Sequence, residues 1–264
     1  MESSLEVYQE NIRFTLSHLL GTLKEVRHIE LEAVTVQEIS TRYRRLAICS
    51  LLLEADTTGF FRLLSCSAQA YLSLLRKVDW PSIEAPYYLC ASRASPFFDA
   101  LAASEPDTAS ELARRSATSW MREDEYEEDF LYMRFLMELA LEGRSPQRVA
   151  EMLQRLQKAG ADREPERVGV CEALFASDST AFDLAMERLE RKRREEVSLQ
   201  QKNPGAVPQM LSTEPYVFIE GLALVRLADR LGIQTLCQYP GIPAIAMTTP
   251  KGPRPDAQAW RTMS

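Results

Sequence analysis

Seven consecutive residues, Glu123-Asp124-Glu125-Tyr126-Glu127-Glu128-Asp129, place six carboxylates around one tyrosine, and Trp120 stands just before them. Anions this dense cannot enter an apolar core unaccompanied, so the block must stay near water or meet cations. A helix starting near Glu123 would favour two or three of them through its macrodipole. Six in seven exceeds that need, and neighbouring carboxylates repel one another. Two accounts follow. The block is a charged, solvated helix start, compensated from within by Arg114, Arg115, Arg122 or Arg134. Alternatively it is a docking patch for a basic protein surface, with Trp120 as an apolar anchor.

A third chemistry is metal binding. Glu125, Glu128, Asp129 and Tyr132 stand at helical spacing and could share a face. Helical carboxylate sites also recruit Glu-x-x-His pairs from two further helices. Glu25-Val26-Arg27-His28 supplies one pair; the other histidine, His18, has Thr15 where the glutamate should be. With the second pair missing, no metal and no cofactor is expected. Catalytic signatures are also missing: there is no glycine-rich phosphate loop, no nucleophile elbow and no H-E-x-x-H, so the chain reads as a binder rather than an enzyme. The basic run Arg188-Leu189-Glu190-Arg191-Lys192-Arg193-Arg194 is interleaved with or flanked by glutamates and reads as a solvated helix C-terminus rather than a nucleic-acid contact.

The elements that must carry these groups are helical. Ile39, Tyr43, Leu46, Ala47, Ser50, Leu51 and Leu53 recur largely at three- and four-residue spacing, and Leu63, Leu64, Ser67, Ala68, Tyr71, Leu74 and Leu75 repeat the pattern. Ser95-Pro96, Glu105-Pro106 and Ser145-Pro146 each mark a helix start, because proline costs no hydrogen bond in a first turn. Gly21, Gly143, Gly160 and Gly232 read as helix ends or breaks. Residues 201–215 read as a loop, followed by a last helix over 216–231. Strand signals are nearly confined to Val34-Thr35-Val36. The expected fold is all-α, an irregular multi-helix bundle or a short α-solenoid of antiparallel helix pairs, with no strict internal repeat. A single domain is expected over 1–247, with a loose tail over 248–264.

The chain has 264 residues, 45% of them apolar, and a formal net charge of −7, enough to bury a large core. That charge argues against nucleic acid and anionic membrane as partners and suits a basic protein. Five scattered cysteines without a C-x-x-C pair read as buried thiols in a reducing cytosol. The residues Met1-Glu2-Ser3-Ser4-Leu5-Glu6 lack the features of a signal peptide, and a cytoplasmic location is expected.

A family resemblance rests on Phe60-Phe61-Arg62-Leu63-Leu64-Ser65 with Ala68-Gln69-Ala70, then Ser95-Pro96-Phe97, Trp120, Glu125-Tyr126-Glu127-Glu128-Asp129-Phe130-Leu131-Tyr132 and Tyr239-Pro240-Gly241-Ile242-Pro243. In this order they resemble the immunity protein 49 family of bacterial polymorphic toxin systems. The resemblance implies an antitoxin that binds a cognate toxin, including toxins of contact-dependent and type VI secretion. It implies inhibition by protein–protein contact, with no chemistry of its own. Trp120 and Glu123 to Asp129 are the expected contact residues, and the toxin is expected to show a basic surface, as a nuclease does. The alternatives from the residues alone are a helical carboxylate-metal hydrolase and a helical adapter that binds a peptide.

Overall fold

Apolar spacing of three and four residues makes helices wherever it runs uninterrupted, and prolines and short polar links set where each begins. The computed structural model describes residues 4–80, 87–203 and 211–262. Among them it contains α1 (Ser4–Leu23), α2 (Ile29–Glu54), α3 (Thr57–Leu75), α4 (Pro96–Ala102), α5 (Pro106–Arg115), α6 (Glu127–Leu139), α7 (Pro146–Gly160), α8 (Pro165–Ala176), α9 (Ser179–Gln201) and α10 (Ile219–Arg230), with no strand. The fold is all-α, as expected. No helix among the described residues is long and apolar enough to cross a membrane.

Helices adjacent in sequence pack together: α1 on α2, α2 on α3, α6 on α7, α7 on α8 and α8 on α9. That is the habit of a solenoid. The return of α10 onto α4, which also meets α3, closes the chain into an irregular bundle. One hydrophobic cluster runs from Ile12 to Trp260. The small residues Ser65, Cys66, Ser67, Ala68 and Ala70 are buried on α3, where helices approach closely.

Pro96, Pro106 and Pro146 each occupy the first turn of a helix. Ser145 caps α7 by accepting a bond from the Arg148 amide, whereas Ser95 makes no capping bond. Pro165 opens α8 in the same way, a start the sequence reading missed.

The two tightest connections share one device. Ala55 and Ser177 adopt left-handed conformations at φ 50° and 53°. Asp56 and Asp178 follow and accept from the Gly59 and Ala181 amides. Phe60 and Phe182, each four residues beyond its aspartate, are fully buried. Six residues earlier than each left-handed residue stands a buried cysteine, Cys49 or Cys171. The same short pattern, Cys-x6-Asp-x-Thr-x-Phe, stands at both connections. Only a few positions are shared, which is why no strict repeat is visible along the chain.

Three expectations need correction. The α6 helix begins at Glu127, so Glu123 to Tyr126 form the turn before it and only Glu127, Glu128 and Asp129 lie in its first turn. The basic run at Arg188–Arg194 does not end a helix, because α9 continues to Gln201. The segment from Thr248, expected to be loose, brings Trp260 into the core at 1% exposure, and the Trp260 carbonyl accepts from the Tyr43 hydroxyl. Of the expected 201–215 loop, residues 204–210 lie outside the described residues.

Candidate functional site

The acidic block divides into two parts with different roles. Its second half is a ladder. Glu127 pairs with Arg155 at 2.7 Å, Glu128 with Arg163 at 2.9 Å and Asp129 with Arg167 at 2.8 Å. These cations come from α7, the α7–α8 link and α8, not from Arg114, Arg115, Arg122 or Arg134. Arg134 instead is buried beside Glu138 and donates to the Ala113 carbonyl, while Arg115 pairs with Glu111.

The first half is a turn held by one carboxylate. Both the Asp124 and Glu125 amides donate to the Met121 carbonyl at 3.0 Å. Glu125 Oε2 accepts from the Ser92 amide at 2.9 Å, and its Oε1 from the Met121 amide at 3.4 Å. The Trp120 indole donates to the Glu125 carbonyl at 3.0 Å. Glu125 thus pins the turn to the short 3-10 segment Ala91–Arg93 and takes its hydrogen bonds from backbone. Glu123 and Asp124 remain. Among the described residues, neither carboxylate has an ion pair or hydrogen bond. Tyr126 is 69% exposed.

A cavity of about 640 Å³ opens beside this turn, lined by Tyr87, Arg93, Arg122, Glu123, Asp124 and Tyr126 together with Ser92, Glu125, Asp129 and Arg167. Two smaller hollows, of about 190 and 370 Å³, share Asp129 and Arg167 with it and extend toward Glu220 and toward Lys192 and Glu196. The three form one groove that meets at the Asp129–Arg167 pair. Arg167 lies 4.8 Å over the Tyr132 ring and within 3.9 Å of Glu220. The Tyr132 hydroxyl donates to Glu220 at 2.7 Å. Burial works against the charge on Arg167, but Glu220, Tyr132, Glu164 and Asp129 outweigh it and raise its pKa further. Burial raises Asp129, against the opposing pull of Arg167. Arg44, which lines the smallest of the three hollows, grips fully buried Asp99 at 2.7 and 2.9 Å, with Ser67 donating to the same carboxylate.

Arg93 and Arg122 differ from the other groove cations. Arg93 stacks 3.9 Å over Tyr87, and Arg122 lies 5.1 Å over Trp120. Neither makes an ion pair among the described residues. Trp120, half-buried, is therefore a platform beneath Arg122 as well as a donor to the turn. The sequence reading found Trp120 and the carboxylates but missed Tyr87, Arg93, Arg167 and Glu220, which lie far away along the chain.

The histidines take no part in the groove. His28 precedes α2 without a capping bond, and both His18 and His28 are exposed. Among the described residues, no group of three or more His, Cys, Asp or Glu is placed to hold a metal ion. Of the residues weighed for one, Glu128 and Asp129 are held by Arg163 and Arg167.

Compared with known protein families, the chain matches the family described as Immunity protein 49 over residues 46–245. No curated protein and no solved structure matches it. The matched span contains the acidic turn, the ladder and every groove residue named except Arg44.

Proposed function

The chain belongs to the immunity protein 49 family, and from that premise we propose that it binds one cognate secreted toxin and neutralises it by stoichiometric contact, without catalysis. The contact is centred on the turn from Trp120 to Tyr126. The observation that carries this placement is the state of its charges. Among the described residues, Glu123 and Asp124 make no ion pair or hydrogen bond where they line the cavity, while their neighbours are spent holding the turn still. A rigid turn loses little entropy on docking. Exposed Tyr126 offers a large contact surface at low conformational cost.

The toxin acts in the cytoplasm and carries a basic surface there, as enzymes that grip phosphate do; a nuclease fits this description. The net charge of −7 would speed encounter with such a surface at low salt. The same turn, seated over a basic cleft, excludes the toxin's substrate.

Co-expression with the toxin encoded beside this gene tests the reading. The wild-type chain should restore growth. Glu123→Lys with Asp124→Lys should leave the fold intact, slow association by about tenfold or more, and flatten its dependence on salt. Undiminished rescue and unchanged association by the folded double variant would remove this turn from the contact.

A further inference from the structure

We infer that the cavity beside the acidic turn recognises a segment of the toxin bearing both signs of charge: a basic side chain meets Glu123 and Asp124, and a carboxylate meets Arg93 and Arg122. This rests on the antitoxin reading above and deepens it. A merely acidic patch would need no cation at its rim. Here two cations and two anions line one cavity of about 640 Å³, and among the described residues none of the four is spent in an ion pair.

The arginines are held in a way that keeps them available. A guanidinium stacked on a ring is attracted through its face and keeps its in-plane N–H donors free. Arg93 over Tyr87 and Arg122 over Trp120 both have that partner. The Trp120 platform is fixed by its bond to the Glu125 carbonyl, and the 3-10 segment that bears Arg93 is fixed by the bond from the Ser92 amide to Glu125. The one carboxylate that pins the turn thus sets the spacing between the acidic pair and Arg93. A planar fork so ordered suits a carboxylate, which it binds through two parallel hydrogen bonds.

The four open charges sum to zero. They add nothing to long-range attraction, and their value lies in pattern. A partner with only basic residues here would leave Arg93 and Arg122 facing like charge, which costs affinity. The arrangement would therefore reject basic surfaces that lack the matching carboxylate.

The two accounts predict opposite signs for one experiment. Purified chain is titrated with its cognate toxin by calorimetry, beside the Arg93→Glu/Arg122→Glu and Arg93→Gln/Arg122→Gln double variants, with circular dichroism confirming each fold. The inference predicts that reversal weakens binding by about tenfold or more and neutralisation weakens it less. Unchanged or tighter binding by either folded variant would overturn it, because a purely basic partner gains when rim cations are lost. The neutral variant decides the matter if the reversed one fails to fold. If the wild-type chain binds no toxin, the antitoxin reading falls and this inference with it. If wild type binds and only the arginine variants are without effect, the inference alone falls.

Discussion

Six adjacent carboxylates meet three different fates, and local geometry decides which. Glu127, Glu128 and Asp129 sit in the first turn of α6, where free amides favour anions and where α7, the α7–α8 link and α8 bring arginines within 2.9 Å. Glu125 satisfies backbone amides. Glu123 and Asp124 line the cavity and, among the described residues, make no ion pair or hydrogen bond. Arg167 is the residue on which most of the groove depends, because Asp129, Glu164 and Glu220 all face it. Removing it leaves three partly buried carboxylates without their shared cation. Arg167→Ala should lower stability by about 1–3 kcal/mol, less than for a fully buried pair because both Arg167 and Asp129 keep about a third of their side-chain exposure. Urea denaturation measures this, and an unchanged midpoint would mean that the groove does not depend on the pair. The cysteines follow the same logic of burial. Desolvation pushes the Cys49 and Cys66 thiols up to about 11 and Cys90 to about 12, so burial disfavours the thiolate at all three.

At the scale of the elements, the helices are joined by polar clamps across a shared core. The clearest is Glu111 on α5, which accepts two bonds from Arg76 just beyond α3 and one from Arg115. The Arg76 hydrogen bond is the main reason its pKa falls from an ordinary 4.5 to about 2. A lowered carboxylate pKa contributes stability above 4.5 and loses it as pH falls toward 2. Carboxyl NMR should therefore find Glu111 ionised at pH 3.5, and Arg76→Gln should return its titration toward 4.5. A wild-type midpoint near 4.5 would mean that the clamp does not hold in solution. Much of this layer was legible in the sequence. Pro96, Pro106 and Pro146 mark three helix starts, since a missing donor is harmless only there, and apolar spacing gave α2, α3 and α10 to within a few residues at most ends but missed the first two turns of α2. The start of α6 was misplaced because six carboxylates mimic a dipole-favoured first turn. The ladder was hidden because Arg155, Arg163 and Arg167 stand 28–38 residues beyond their partners, a distance that only helix packing closes. The α9 end was misjudged because Glu164 and Glu166 at the start of α8 and its own Glu190 stabilise a basic run in mid-helix.

For the molecule as a whole, the two halves of the acidic block do complementary work. The ladder ties α6 to α7 and α8, and Glu125 ties the turn to the 3-10 segment before α4, so the open charges sit on a frame anchored in several directions. Membership in an immunity protein family implies a cognate toxin as partner, and we propose that it seats on that frame. The central claim is that the turn and its facing 3-10 segment are the contact. Hydrogen exchange of the free chain and of its complex with the toxin it neutralises in co-expression tests it most directly. Slowed exchange should concentrate in residues 87–93 and 120–126, including the Asp124 and Glu125 amides. Protection confined to α1, α2 and α3, with these two segments unchanged, would contradict it.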